Sequence, residues 1–156
     1  MASTVTEPGI REVLPYLRVR GGRAAIEFYK QAFGAEETFR LEEPSGRVGH
    51  AQLKLGPASI MLSDEYPEHG IYSPLQFGGT GSCLHLHVEN VDALVDRAVA
   101  AGATVLMSPA DQFYGERVAK LLDPFGHQWL LGQRIEDMSE AEVQRRFTGM
   151  MDRDSA

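Results

Sequence analysis

Apolar and polar positions follow one plan twice along the chain. In LPYLRVRGGRAAIEFYKQAFGAE, residues 14–36, a short alternating run passes through two glycines into a helical stripe. Ala24, Ala25, Phe28, Ala32 and Phe33 approximate that stripe, and Gly34 supplies a helix stop. In CLHLHVENVDALVDRAVAAGATV, residues 83–105, the plan returns. Val91, Leu94, Val95, Ala98 and Val99 keep i, i+3, i+4 spacing, Asn90 is placed to cap the start, and Gly102 stops the helix. Three strand-like runs follow each helix: ETFRLEE, RVGHAQLKLG and ASIMLSD in the first half, TVLMSPADQF, ERVAKLLD and HQWLLGQ in the second. The pattern predicts two βαβββ units in tandem.

This divides one structural domain into five stretches. Residues 1–11 are a loose polar segment, 12–63 the first module, 64–80 a connector, 81–133 the second module and 134–156 a C-terminal helix and tail. The connector DEYPEHGIYSPLQFGGT mixes Pro, Gly and Tyr without period, so it reads either as a plain link or as a lid over a pocket. Ser139 and Glu142 have capping-box spacing at the start of the last helix.

Composition narrows the function classes. Of 156 residues, 43% are hydrophobic and 24% charged, as in globular proteins, and the formal net charge of -7 argues against a nucleic acid partner. No apolar run is long enough to cross a bilayer and no charged-then-apolar leader opens the chain, so no membrane partner is expected. A single cysteine precludes an internal disulfide, and the expectation is a cytoplasmic protein.

Strand parity then selects candidate site residues. In CLHLHVEN, Cys83, His85 and His87 occupy alternate positions and share one face, while Leu84, Leu86 and Val88 turn toward the helix. The matching first-module run puts Tyr16 and Arg18 on the same side as Leu14, with Leu17 and Val19 toward the helix. On RVGHAQLKLG, His50, Gln52 and Lys54 face away from Ala51, Leu53 and Leu55. A polar and aromatic cavity of this kind suits an anionic or hydrogen-bonding aromatic ligand. DQFYGER, residues 111–117, reads as a hairpin with Gly115 in the turn. It also reads as a pocket rim, where Tyr114 stacks on a flat ligand and Arg117 pairs with an anion. Trp129 joins the candidates, although alternation can equally turn it toward the helix side.

Several chemistries stay open for these groups. His85 and His87 form an H-x-H pair that, with His50 and Cys83, offers a displaced metal site. The same histidines can instead hydrogen-bond a ligand or serve as general acid or base. Cys83 is either a nucleophile beside a histidine or a small apolar filler. His127, after a turn, reads as structural, His69 as solvated, and Asp123 and Gly126 as turn residues. Motifs for a nucleophile elbow, a P-loop or a dinucleotide fold are missing.

The ordered set PYL, GHAQL, DQFYGERVAKLLDPFGHQW and IEDMSEAEVQRR, with the repeated unit, resembles the vicinal oxygen chelate superfamily over residues 12–150. That group includes glyoxalase I, bleomycin-resistance proteins and extradiol dioxygenases, and the set is similar to its PhnB-like branch. The resemblance implies an α+β fold in which tandem βαβββ modules form a curved mixed sheet around a cavity, helices outside, and a homodimer. Metal-dependent members take one ligand from the first and last strand of each module. Those positions fall at Leu14, near Leu62, at Cys83 and near Leu130. Leucine has no donor atom, so neither a metal at the usual place nor another cofactor is expected. The leading expectation is a metal-free binder of a small planar or anionic molecule. The alternatives are a lyase, isomerase or dioxygenase-type enzyme using a displaced metal or histidine acid–base chemistry, and a structural dimer without ligand.

Overall fold

The computed structural model describes residues 7–155. The first module runs β1 (Tyr16–Val19), α1 (Gly22–Phe33), β2 (Glu36–Glu42), β3 (Val48–Leu55) and β4 (Ala58–Asp64). The second runs β5 (Cys83–His87), α3 (Val91–Ala101), β6 (Thr104–Asp111), β7 (Glu116–Leu122) and β8 (Gln128–Arg134). Between them lie a 3-10 turn (Pro67–His69) and a short helix, α2 (Pro74–Phe77). A longer helix, α4 (Glu140–Asp154), ends the chain. Residues 7–11 are exposed and irregular; residues 1–6 of the expected loose segment, and residue 156 of the tail, lie outside the described residues.

Both modules have the same topology, β1-β4-β3-β2 and β5-β8-β7-β6. The first strand pairs in parallel with the fourth, and the remaining pairs are antiparallel. The expected α+β class and the tandem βαβββ order are found, but the curved sheet is divided in two. Among the described residues no strand pairing joins the sheets, and no barrel closes.

Helix packing holds the halves together instead. Helices α1 and α3 lie against each other, and Val19, Ile26, Tyr29, Leu53 and Leu62 of the first module share one core with Val91, Leu121, Trp129 and Leu131 of the second. Phe33 packs on Trp129 with ring centroids 4.8 Å apart. Arg97 of α3 donates to the carbonyls of Gln31 and Lys30 at the end of α1, at 2.6 and 3.3 Å; the Lys30 carbonyl also accepts from the Gly34 N–H, at 3.0 Å.

Local signals explain the element ends. Asn90 and Ser139 cap α3 and α4 by accepting from the N–H groups of Ala93 and Glu142. Gly34 ends α1 at φ 69°, a left-handed conformation favouring glycine. The start of α1 is held differently. Asp64 accepts from the N–H groups of Gly21 (2.9 Å), Gly22 (2.7 Å) and Val48 (2.7 Å), so one carboxylate joins helix, β3 and β4.

Asp123 does more than close a turn. It is buried, and Oδ1 accepts from the N–H groups of Phe125 and His127 at 2.8 and 3.0 Å. Oδ2 accepts from the Tyr29 hydroxyl at 2.5 Å and the Trp129 indole at 2.9 Å. Burial, reinforced by the neighbouring Asp123 carboxylate, pushes the Tyr29 hydroxyl well above the usual tyrosine range.

Candidate functional site

The face of each sheet away from the helices is open. In β1, Leu17 and Val19 are buried while Tyr16 is exposed; in β3, Ala51 and Leu53 are buried while His50 and Gln52 remain accessible. In β5, Cys83, His85 and His87 are exposed, and Leu84 and Leu86 pack against the core. Alternation places a polar set opposite an apolar set on each of these strands.

A groove of about 430 Å³ runs along the seam between the modules. Its walls are the segment Glu12–Pro15, the β3–β4 hairpin around Pro57 and Ser59, and β5 at Cys83 and His85. Leu14 and Cys83, where the resemblance puts the first-strand ligands of the two modules, both line this groove.

The other two positions do not supply the missing donors. Leu62 itself is fully buried in the core, and the open-face residues near it are Met61 and Ser63. Ser63 is itself buried, and its Oγ accepts from Arg18 at 2.6 Å. Leu130 pairs with His85 in register and has no donor atom. Asp64, the nearest carboxylate on β4, is occupied by backbone N–H groups. Among the described residues no group of three or more His, Cys, Asp or Glu is arranged to hold a metal ion. The donor set does not fit the metal used by metal-dependent relatives.

The candidate residues fall into separate groups. Tyr16 Oη and His50 Nδ1 are 2.8 Å apart on the first sheet, and the Arg18 guanidinium lies 4.2 Å from the Tyr16 ring centre. His85 and His87 stack at 4.6 Å on the second sheet. Trp129 underlies the groove, but its ring is wholly buried toward α1 and its N–H is taken by Asp123. This is the helix-side alternative for that residue. Arg117 is likewise committed. It donates to Asp92 at 2.8 and 3.0 Å and to Asp111 at 3.0 Å, and those carboxylates raise its pKa further. Gly115 does occupy the hairpin turn, at φ 85°. Tyr114 beside it is partly buried, and burial, then the charge of Glu116, raises its pKa. His127 donates through Nε2 to the carbonyl of Arg18 at 2.8 Å, a link between modules.

Within the DQFYGER rim, Glu116 takes a place that its hairpin position alone does not announce. Glu116, at the start of β7, reaches over Gly132 toward β5, with Oε1 3.7 Å from His87 Nδ1. Only the pairing β5-β8-β7 brings residues 85, 132 and 116 together, and no local motif announces it.

Two sheets of this topology, each open on one face, joined through their helices and carrying first-strand positions into a common groove, define a glyoxalase-type fold. Residues 9–131 match the family model described as the Glyoxalase/Bleomycin resistance protein/Dioxygenase superfamily, and the chain belongs to that superfamily. An uncharacterized protein of Mycobacterium bovis is 38% identical over 141 residues, covering 88% of this chain and 93% of the relative. The X-ray structure of an Arabidopsis thaliana gene product aligns with a TM-score of 0.62 at 28% identity, over 79% of this chain and 98% of that one. A PhnB protein from Bacillus cereus has the same fold, with a TM-score of 0.61 at 20% identity, over 79% of this chain and 99% of the other.

Proposed function

We propose that this protein binds a small planar molecule in the groove between its modules, without a metal at the location used by metal-dependent relatives. The observation that carries the reading is the meeting of Leu14 and Cys83 in a groove whose remaining walls are largely apolar. An apolar slot with few polar groups fixes a flat ligand by burial and orients it by those groups. Here the orienting groups are His85 and Cys83 along one wall and Glu12 at the segment opposite.

The planar part of the expectation has more support than the anionic part. Arg18 and Arg117, the arginines on the candidate strands, already donate to Ser63 and to Asp92 and Asp111. An anion would have to displace those partners or draw on histidine and on the lysines of the open faces, Lys54 and Lys120.

The test is a thermal-shift screen of planar aromatic compounds, with Leu14→Trp as a blocked variant. Saturable stabilisation of the wild type, lost in Leu14→Trp and with the compound recovered unchanged, supports a binder. Recovery of a converted product instead favours the enzymatic alternative. Stabilisation that persists in a well-folded Leu14→Trp protein rules out the groove.

A further inference from the structure

Strand β5 lies at the end of its sheet and pairs with β8 on one side alone. The ladder decides which of its main-chain groups face the other side. In the parallel register His87 lies opposite Gly132, and the Val88 N–H donates to the Gly132 carbonyl at 2.8 Å. Leu84, Leu86 and Val88 therefore turn their main chain toward β8, and Cys83, His85 and His87 turn theirs to the outer edge. That edge borders the groove. Cys83, Leu84, His85 and Leu86 line it consecutively, open-face and core-face residues alike, so the groove runs along the edge of the strand and not over one face. Edge strand β1 has the same arrangement in the facing module. The Met61 N–H donates to the Pro15 carbonyl at 2.9 Å, which leaves the main chain of Arg18 turned outward, and His127 of the second module donates to the Arg18 carbonyl at 2.8 Å. There an outward group is satisfied across the seam. At the groove, among the described residues, no hydrogen bond reaches the N–H or the carbonyl of His85.

We infer that the ligand is a planar heterocycle carrying a donor beside an acceptor, as in a lactam or an aminopyridine, and that these pair with the N–H and carbonyl of His85. The inference rests on the groove reading above and names the chemistry that the groove selects. An extended residue presents its N–H and carbonyl together on one side, the pairing surface of every strand. A flat ring lying in that plane adds to the free edge as a further strand would. His85 is assigned because Cys83 only begins the strand and His87 does not border this groove. Across the slot, Val13, Leu14 and Pro15 present apolar side chains, and Pro15 has no N–H to compete. The volume of about 430 Å³ suits a small fused-ring molecule.

The experiment titrates 2-quinolone, 1-methyl-2-quinolone and quinoline by calorimetry into wild type, His85→Ala, His85→Pro and Leu14→Trp. The first probe has an N–H beside its carbonyl. The second keeps only the acceptor, and the third keeps an acceptor without added bulk. Wild type should favour 2-quinolone over each by about tenfold, the range for a sheltered carbonyl left without a donor. His85→Ala removes the imidazole and keeps the main chain, so this preference should persist. His85→Pro deletes the outward N–H without costing a bond to β8, and should bind 2-quinolone about tenfold more weakly than His85→Ala. In wild type, saturating 2-quinolone should slow hydrogen exchange at the His85 amide. Where His85→Pro proves unfolded by circular dichroism, that exchange measurement decides. Equal affinity for the three probes, unchanged exchange at His85, or a folded His85→Pro that binds as tightly as His85→Ala, with binding still blocked by Leu14→Trp, overturns the edge assignment and leaves the groove standing. No binding of any probe to wild type at millimolar concentration, or binding that survives in folded Leu14→Trp, overturns both.

Discussion

The hydroxyl of Tyr29, on the helix of the first module, donates to Asp123 of the second at 2.5 Å, and both residues are buried. With the Trp129 indole and two backbone N–H groups, this gives Asp123 four donors and fastens module to module. Tyr29→Phe removes one donor and leaves an oxygen of a buried carboxylate short of a partner. We expect a loss of about 1–3 kcal/mol in chemical denaturation. The same pair gives a signature at alkaline pH. The folded-state pKa of Tyr29 is raised above its unfolded value, so its contribution is complete below the ordinary tyrosine value of 10.0 and is lost as pH rises from there through the raised value. Wild type should lose stability over that window, and the stability gap to Tyr29→Phe should narrow. A gap that stays constant to the end of the window contradicts the linkage.

Acid should act through Glu65. The Arg20 guanidinium, with the N–H and hydroxyl of Ser73, holds the Glu65 carboxyl down to about 2. A depressed carboxylate stabilises the fold above its unfolded value, here 4.5, and that contribution disappears as pH falls toward about 2. Glu65→Gln should therefore be the less stable protein at neutral pH, by a modest margin because Arg20 is half exposed. The difference should vanish near pH 2. Urea melts at a series of pH values check this. Equal melts at neutral pH would show that Glu65 does not hold the connector to β4.

Gly22 sits where α1, β3 and the Asp64 clasp converge. An added methyl group would come within 2.8 Å of both Asp64 Oδ2 and the Val48 side chain. Gly22→Ala should cost about 1–3 kcal/mol, the usual range for overpacking. It should also expose the Gly21 and Gly22 amides to faster hydrogen exchange than in wild type. Wild-type stability with unchanged exchange would mean the clasp can shift without cost.

Alternation and helical stripes made much of the architecture legible. His50, His85 and His87 lie opposite apolar neighbours because an antiparallel or edge strand with one covered face repeats every second residue. The part that stayed hidden depends on pairing between distant strands. Asp123 has the spacing of an ordinary turn aspartate, and nothing in DPFG says that Tyr29, far away in sequence, will donate to it. Glu116 is one of many acidic residues until β8 places Gly132 between it and His85. Near Leu62 the pattern left parity open by one position, and the structure puts Leu62 in the core with Met61 and Ser63 beside it. At Trp129, size and aromaticity suggested a ligand platform, but the indole N–H found a buried partner in Asp123.

Metal content should follow the leucines. After expression in medium supplemented with Zn, Ni, Fe and Mn, elemental analysis of purified protein and its variants should find no stoichiometric ion at the location used by metal-dependent relatives. Leu14 and Leu130 offer no donor, and Asp64 is occupied. About one tightly bound ion per chain, lost in Cys83→Ala and kept in the His85→Ala, His87→Ala double variant, would contradict this.

The last prediction concerns association. Helix α4 is amphipathic, yet none of its residues is buried. Phe147 and Met151 are each 44% exposed, and Phe113 lies against Phe147 at 5.9 Å, leaving a shallow apolar pocket bordered by Met138 and Val143. A helix of 15 residues is marginal in water by itself, so most of its stability must come from packing. Arg146 ties it to the body by donating to the Phe113 carbonyl at 3.1 Å and pairing with Glu136 at 3.0 Å, but these contacts leave the apolar stripe uncovered. The open sheet edges carry further exposed apolar side chains, Phe39 and Leu41 on β2 and Val105 and Met107 on β6. We expect a second copy of the chain to cover such surfaces, giving a homodimer at micromolar concentration. Sedimentation velocity tests it. Phe147→Asp should shift the dimer toward monomer while the near-ultraviolet signal of buried Trp129 stays intact, because the change lies far from the core. A wild type that sediments as a monomer at every concentration sinks the expectation. A Phe147→Asp dimer as tight as wild type would move the interface from α4 to the sheet edges.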